Sequence, residues 1–190
     1  MIIGITGGTG CGKTTLLKEI EARGGLVCDC DAVYHELLTR DDALLNAIEA
    51  RFPGVVVGGE LQRKKLGAIV FADEAALRDL NAITHGAIRA EIVRRLPEKP
   101  TLAAIDAIAL FEGGLAELCD TTVAVCAPEE IRVERLMKRD GISREYAENR
   151  IRAQKSEDWF RKKCAYTLYN DGTEGEFREK CAEFLEKLLK

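Results

Sequence analysis

The stretch GITGGTGCGKTT, residues 4–15, combines five glycines, one lysine and four threonines directly after the apolar residues 1–3. Within it, Gly7 to Thr14 follow the pattern Gly-x4-Gly-Lys-Thr, which is the phosphate-binding loop motif. That motif requires a strand before the loop and a helix after it. The apolar run Met1–Thr6 predicts the strand, and leucine and isoleucine at helical spacing predict a helix over Thr14–Glu21. The stretch therefore predicts an α/β fold that begins with strand, loop and helix.

The chemistry of this loop follows from its residue types. Glycines let backbone N–H groups approach a phosphate, and the N-terminus of the following helix adds partial positive charge. Lys13 supplies a point charge for the β- and γ-phosphates, and the hydroxyl of Thr14 is the expected Mg²⁺ ligand. We therefore predict that the loop binds ATP together with Mg²⁺.

Composition limits the remaining possibilities. The chain has 190 residues, of which 46% are hydrophobic, so we expect one domain with one core. A formal net charge of −4 gives no general basic field, and no nucleic-acid partner is predicted. No stretch reaches the roughly 18 apolar residues of a membrane span, and the N-terminus lacks the basic region of a signal peptide. We expect a cytoplasmic monomer without a membrane partner, in which the seven cysteines are reduced.

Strand and helix patterns alternate to the end of the chain. Apolar runs predict further strands at 26–28, 101–110, 122–126 and 166–169, with helical patterns between them. Such alternation predicts a five-stranded parallel sheet flanked by helices on both faces.

The predicted single domain, 1–190, has three parts. Its core comprises 1–59, 98–127 and 164–190. Residues 60–97 form a helical region, with an uninterrupted helical pattern from Arg63 to Arg95, and residues 128–163 form a charged helical segment with one break at 141–143.

Two carboxylates, Asp29 and Asp31, follow the second predicted strand. A kinase needs a carboxylate near the attacking hydroxyl, to orient it and accept its proton, and strand carboxyl ends line the ligand crevice. Either aspartate can instead cap the helix that starts near Ala32. The residues alone predict that one caps the helix and the other faces the substrate, without deciding between them.

Positive charge is concentrated between Pro128 and Lys163, which contain eleven basic and eight acidic residues in a chain of negative net charge. A kinase needs mobile positive charge over the γ-phosphate, which must be kept from water during transfer. We interpret this segment as a lid. Arg135 and Arg139 lie four residues apart on one helix face and are the predicted phosphate contacts.

The loop alone does not choose between classes of nucleotide-binding protein. Small-molecule kinases, GTP-hydrolysing switches and motor ATPases share it. The chain has no guanine-reading Asn-Lys-x-Asp, and the apolar run 101–110 contains one Asp106 and ends in Phe111-Glu112 instead of an acidic pair. Together with its length, these features favour a kinase of a small metabolite.

A series of further motifs runs through the chain. After GITGGTGCGKTT come CDCDAV, then LQRKKLGAIVF with LNAITH and AIRAE, then ALFE, then ERLMKRDGIS with RIRAQ, and finally YND-G. In order, and over nearly the whole chain, they resemble the motifs of the dephospho-coenzyme A kinase family. The resemblance implies a P-loop kinase fold with a helical acceptor-binding substructure and a lid. It also implies transfer of the γ-phosphate of ATP to the 3′-hydroxyl of dephospho-coenzyme A, the last step of coenzyme A synthesis.

The resemblance implies roles for individual residues as well. Asp31 resembles the catalytic aspartate that accepts the proton of the 3′-hydroxyl, and Lys13 and Arg139 would neutralise the γ-phosphate. His85 and Arg89 would lie near the acceptor pocket, where a buried or capping role for His85 stays open. The predicted substrate contact of Arg135 rests on its place in the charged segment and not on the resemblance. The implied ATP-binding segment is Gly10, Cys11, Gly12, Lys13, Thr14 and Thr15.

The chain departs from the family pattern outside the phosphate loop, Asp31 and the lid arginines. The departures are Cys30, Gly86, Ile108, Ala109, Arg132 and Tyr166. Two other functions stay open. One is a kinase of a nucleoside, its monophosphate or a sugar acid, and the other is a nucleotide-dependent switch without transfer to a small acceptor.

Overall fold

The phosphate-loop motif follows the central strand of a five-stranded sheet. The computed structural model describes residues 1–40 and 42–190. The strands in that part of the chain are β1 (Ile2–Thr6), β2 (Leu26–Asp29), β3 (Val56–Val57), β4 (Glu60–Leu61), β5 (Ala103–Asp106), β6 (Thr121–Cys126) and β7 (Tyr166–Tyr169). The helices are α1 (Lys13–Ala22), α2 (Cys30–Arg40), α3 (Asp42–Arg51), α4 (Arg63–Val70), α5 (Glu74–Arg95), α6 (Glu129–Asp140), α7 (Arg144–Arg152), α8 (Glu157–Lys163) and α9 (Glu174–Leu188).

The main sheet has the strand order β2-β5-β1-β6-β7. Strand β1 pairs in parallel with β5 and β6, and β6 pairs in parallel with β7. The predicted α/β class and five-stranded parallel sheet are confirmed. Because β1 is central, the loop after it lies at the edge of the sheet where parallel strands end and ligands bind.

Helices α1 and α9 pack on the sheet and fix the position of the loop. Fully buried side chains of β1, α1 and α9 belong to one apolar cluster: Ile3, Ile5, Leu16, Ile20, Cys181 and Leu185. Since α1 begins directly after the phosphate loop, this packing holds both ends of the loop.

The chain forms two compact units. The first comprises Met1–Val27, Glu98–Leu110 and Leu115–Lys190, and the second Cys28–Pro97 and Phe111–Gly114. The predicted lid segment 128–163 belongs to the first unit as α6, α7 and α8. The predicted helical region 60–97 belongs to the second, which already begins at Cys28 and also includes α2, α3 and the antiparallel hairpin of β3 and β4. The roles of these parts as lid and acceptor-covering region stay predictions.

One predicted strand is shorter than its apolar run. Residues 101–110 were expected to be extended, whereas β5 covers only Ala103–Asp106. The last partner on β1 is Ile5, which faces Asp106 and accepts the N–H of Ala107, and β1 ends at the next residue. After this residue the chain next to β5 is the glycine loop, which is not extended. The residues that follow Asp106 therefore have no strand to pair with, and β5 ends. Asp106 therefore lies at the carboxyl end of β5 and not inside it.

Two predicted helical segments contain breaks that the pattern did not show. In 63–95, helix α4 ends before Phe71, and Asp73 caps α5 by accepting the N–H of Ala75. In 129–163, Ser156 caps α8 by accepting the N–H of Trp159, which adds a second break to the predicted one. Both caps are short polar side chains that hold their own helix N-terminus.

Among the helices of the described residues, none combines the length and the apolar character that crossing a membrane requires.

Candidate active site

The phosphate loop connects β1 to α1 through glycines whose positions exclude other residues. Gly12 has φ 99°, and a Cβ there would lie 2.1 Å from Nδ2 of Asn170. Gly7 has φ 138°, and a Cβ there would lie 2.2 Å from the carbonyl oxygen of Val125. L-residues rarely adopt such φ values, and the neighbouring atoms leave no room for a side chain. The loop shape thus depends on glycine at both positions.

The N-terminus of α1 is open toward an anion. Gly12 is the N-cap residue, and within the described chain no side chain caps this terminus. The first N–H groups of a helix have no intrahelical acceptor, so an uncapped terminus offers donors and partial positive charge to a phosphate. The ammonium of Lys13 lies 3.2 Å from the carbonyl oxygen of Gly7 and 4.0 Å from Oδ1 of Asp106. The positive charge of Lys13 therefore lies beside Gly7, the first residue of the loop motif.

Two oxygen donors at this site suit a hard cation. Thr14 is exposed in the first turn of α1, and the side chain of Asp106 is 15% exposed at the end of β5. No group of three or more histidine, cysteine or acidic residues that could hold a metal lies within the described residues. Mg²⁺ at nucleotide sites uses one or two protein oxygens and takes its other ligands from water and phosphate. A hydroxyl and a carboxylate therefore fit such an ion.

The outer side of the loop is held by Asn170 and Arg135. The side chain of Asn170, which is 4% exposed, donates from Nδ2 to the carbonyl oxygen of Cys11 at 3.0 Å. Its Oδ1 accepts from Nη2 of Arg135 at 3.0 Å, while Nη1 of Arg135 lies 3.4 Å from the carbonyl oxygen of Gly10. Arg135 was predicted as a phosphate contact, and here it touches the loop itself.

A second pair of side chains holds Thr9. Nε of Arg132 donates to the carbonyl oxygen of Thr9 at 2.9 Å, and the N–H of Thr9 donates to Oε1 of Gln154 at 2.8 Å. Arg132 comes from the start of α6, and Gln154 follows α7. The segment predicted to be a lid is thus hydrogen-bonded to the loop through both the carbonyl oxygen and the N–H of Thr9.

Arg139 points to a neighbouring carboxylate in this structure. Its Nε lies 2.7 Å from Oδ1 of Asp140, and Nη1 of Arg150 lies 2.6 Å from Oδ2 of the same residue. The hydrogen bonds from Arg139 and Arg150 lower the pKa of Asp140 to about 2. The predicted contact of Arg139 with the γ-phosphate stays a prediction, and it requires Arg139 to leave Asp140.

In the second unit, the structure separates the roles of Asp29 and Asp31. Oδ1 of Asp29 accepts the N–H of Asp31 at 2.9 Å and that of Ala32 at 3.1 Å. Asp29 therefore caps α2. The exposed carboxylate of Asp31 accepts no hydrogen bond from the described residues and remains available to a substrate.

His85 and Arg89 lie four residues apart on α5, and therefore on the same face of that helix. His85 is half-buried, and Arg89 donates from Nη1 to the carbonyl oxygen of Gly114. This bond ties α5 to the short segment Phe111–Gly114 of the same unit. The predicted contacts of both residues with an acceptor stay predictions.

Cys11 is a structural member of the loop. Its side chain is 1% exposed and belongs to the apolar cluster beneath α1. Burial raises the pKa of its thiol, an effect that the nearby Lys13 only partly offsets. The thiol is therefore held in its neutral and less reactive form.

Four residues that contact the loop were missed as site residues in the sequence: Asp106, Arg132, Gln154 and Asn170. Asp106 did carry a signal, since it is the one carboxylate in an apolar run. Asn170 carried a weaker one, as the polar residue directly after the last strand. Arg132 and Gln154 lie in a charged helical segment whose pattern does not separate them from a solvated helix face, although Arg132 is one of the departures from the family pattern and Gln154 ends the motif RIRAQ.

Comparisons with known proteins identify the family of the chain. Residues 1–176 match the family model described as CoaE, dephospho-CoA kinase. A dephospho-CoA kinase from Thermobifida fusca is 35% identical over 190 residues, which cover 98% of this chain and 95% of that protein. The solved structure of TT1252 from Thermus thermophilus is 36% identical with a TM-score of 0.82, covering 100% of this chain and 98% of that chain. Dephospho-CoA kinase from Campylobacter jejuni is 25% identical with a TM-score of 0.68, covering 98% and 96% respectively.

Proposed function

The chain belongs to the dephospho-CoA kinase family, and we propose that it transfers the γ-phosphoryl group of ATP, with Mg²⁺, to the 3′-hydroxyl of dephospho-coenzyme A. The products are coenzyme A and ADP, and the reaction is the last step of coenzyme A synthesis. The observation that carries the proposal is the family match over residues 1–176, and the uncapped N-terminus of α1 after a glycine loop, with the ammonium of Lys13 beside it, supports the nucleotide part.

The geometry of the first unit supports ATP binding. The segment from Gly10 to Thr15 presents backbone N–H groups to the β-phosphate, and Lys13 neutralises charge on the β- and γ-phosphates. Asp106 lies 4.0 Å from Lys13 and keeps its ammonium turned toward the loop. Arg135 and Arg139 add positive charge from α6 when the lid covers the nucleotide.

Thr14 and Asp106 are the residues that would hold Mg²⁺ beside the phosphates. The bound ion would neutralise charge that develops on the β- and γ-phosphate oxygens during transfer. Thr14 offers its hydroxyl oxygen from the first turn of α1, and Asp106 offers a carboxylate oxygen from the end of β5.

The acceptor side of the reaction is assigned to the second unit. Asp31 orients the 3′-hydroxyl and accepts its proton, since its carboxylate is exposed while Asp29 is engaged in capping α2. His85 and Arg89 contribute to acceptor binding from α5. We further propose a monomer in the cytoplasm, which is consistent with seven free cysteines because a reducing compartment keeps thiols from pairing.

The activity is tested by ADP release with and without dephospho-coenzyme A, against a panel of nucleoside monophosphates and sugar acids. We expect release that depends on dephospho-coenzyme A. ADP release that none of these acceptors increases would contradict the proposal, whereas dependence on another acceptor would identify a different small-metabolite kinase.

A pair of variants tests the catalytic aspartate. Asp31→Asn removes the proton acceptor, so we expect turnover to fall about 100-fold or more while ATP still binds. Asp29→Asn is the matched control, because asparagine caps a helix as well as aspartate does, and its turnover should stay within a few-fold of the wild type. Near-normal turnover of Asp31→Asn would remove Asp31 from this role.

A further inference from the structure

Arg132 is a buried cation whose polar partners are neutral. The residue is 8% exposed, its Nε donates to the carbonyl oxygen of Thr9, and its Nη2 lies 3.5 Å from Oε1 of Gln154. Among the described residues, no carboxylate lies within 4.0 Å of its guanidinium group. Glu157 lines the same small cavity and accepts the hydroxyl of Tyr169 at 3.0 Å; its carboxylate keeps its negative charge but lies beyond ion-pair distance of Arg132.

This arrangement is costly for the folded protein. A buried charge requires a counter-charge to offset its lost hydration, and two neutral acceptors offset it only in part. Arg132 also lies near the N-terminus of α6, where the helix dipole opposes a cation. Neither effect favours arginine for stability, so the residue points to a counter-charge that arrives from outside the chain.

The guanidinium group lies directly against the phosphate loop. A Cβ at Gly8 would be 2.2 Å from Nη2 and 2.8 Å from Cζ of Arg132. Gly8 is the second residue of the loop motif, and the next residue, Thr9, is bonded to Arg132 through its carbonyl oxygen. The guanidinium group of Arg132 is therefore packed against the backbone of the loop at Gly8 and Thr9.

We propose that Arg132 is a positioning residue for the nucleotide. Its side chain holds the loop at Gly8 and Thr9, and the phosphates of bound ATP balance its positive charge. The inference rests on the proposed function in that ATP is taken as the ligand. Two consequences follow. The contribution of Arg132 to affinity grows with the charge of the phosphate chain, and the unliganded protein carries the cost of the uncompensated cation.

The test compares Arg132→Gln with Arg132→Lys in the full chain. Titration calorimetry without acceptor gives the affinities for MgATP, ADP and AMP, and thermal unfolding gives the stability without ligand. Glutamine is neutral and retains a donor for Thr9, so we expect ATP affinity to fall about tenfold, ADP affinity less, and AMP affinity by less than about twofold. Arg132→Lys keeps the charge and should keep most of the preference for ATP over AMP.

The control is Lys138→Gln, which removes one positive charge from an exposed position of the same helix. It should leave all three affinities unchanged at ordinary ionic strength. Without ligand, Arg132→Gln should unfold at the same temperature as the wild type or higher. ATP should raise its unfolding temperature by less than it raises that of the wild type.

Two results would overturn the inference. One is a lower unfolding temperature of unliganded Arg132→Gln with an unchanged ratio of ATP to AMP affinity, which would make Arg132 a structural residue only. The other is failure of Arg132→Lys to restore that ratio. Failure of the proposed function is a separate result, because it appears as wild-type protein that binds ATP but releases no ADP in response to dephospho-coenzyme A.

Discussion

Replacing Asn170 by alanine tests how the phosphate loop is held in shape. The Asn170 side chain is almost fully buried, donates to the carbonyl oxygen of Cys11 and accepts from Arg135. Its backbone N–H donates to the carbonyl oxygen of Cys126 at 2.8 Å, a bond that alanine can also make. The substitution therefore removes the two side-chain bonds and leaves the end of β7 paired.

The expected loss of stability can be worked out from these two bonds. The bond to Cys11 is buried, so leaving its carbonyl oxygen without a donor costs about 1–3 kcal/mol. Arg135 is partly buried and can turn to water, so losing its bond costs about 1 kcal/mol. The sum is about 2–4 kcal/mol, which lowers the unfolding temperature of a chain of this size by about 5–15 °C.

Thermal and urea unfolding measure this loss, and titration with ATP measures the effect on the loop. We expect Asn170→Ala to bind ATP at least about tenfold more weakly, because the loop loses its contact at Cys11. Asn149→Ala, an exposed substitution on α7, is the control and should change stability by less than about 0.5 kcal/mol. Asn170→Asp keeps an acceptor for Arg135 but places a carboxylate oxygen against the carbonyl oxygen of Cys11, so it should recover neither stability nor ATP affinity.

The reasoning would be refuted by an Asn170→Ala protein that unfolds within about 1 kcal/mol of the wild type and binds ATP normally. Such a result would mean that water or another side chain supplies the donor to Cys11, and that the loop keeps its shape without Asn170.

Three further predictions concern charged and titratable groups of the first unit. Glu19 forms ion pairs with Arg23 at 2.7 Å and with Arg178 at 2.8 Å, and these lower the pKa of its carboxyl. The stability that Glu19 adds to the folded protein is therefore present above its unfolded pKa of about 4.3 and is lost as pH falls through the lower folded pKa. Glu19→Gln should therefore lose about 1 kcal/mol at pH 7 in urea unfolding, and a difference that did not shrink at about pH 3 would contradict this account. Burial raises the pKa of Cys11, so native protein treated with iodoacetamide at neutral pH should remain unmodified there by mass spectrometry, whereas modification with loss of ATP binding would show an accessible thiol. Asp140 holds Arg139 and Arg150, so Asp140→Asn should release Arg139 and tighten ATP binding about two- to fivefold in calorimetry, and unchanged binding would argue against a phosphate contact of Arg139.

The beginning of the fold could be predicted because its signals are local. Glycine spacing, the strand before the loop and the helix after it all lie within the first 22 residues. The length of a strand was harder to predict from the sequence, as residues 101–110 show. Ala107 and Leu110 are buried but do not belong to β5, because hydrophobic character reports burial and does not report whether a neighbouring strand is present to pair with.

From residue type and spacing alone, the carboxylate that we propose to face the acceptor could be predicted only as one of a pair. Asp29 and Asp31 are the same residue type at the same strand end, and either can cap a helix. The choice depends on where the first turn of α2 places its N–H groups, and two of these groups donate to Oδ1 of Asp29. A difference of this kind is set by backbone geometry and leaves no trace in residue type or spacing.

The shape of the phosphate loop depends on side chains that the loop does not contain. A glycine-rich segment has few side chains with which to hold itself, so the partners of its carbonyl groups must come from elsewhere. Those of Thr9, Gly10 and Cys11 come from Arg132, Arg135 and Asn170, which lie 123, 125 and 159 residues further along the chain. The strand order supplies them, because β6 lies beside β1 and leads into α6, and β7 lies beside β6 and ends directly before Asn170. Because these distant side chains hold the carbonyl groups of Thr9, Gly10 and Cys11, the affinity of the loop for ATP should respond to substitutions in α6 and after β7 as well as to substitutions in the loop itself.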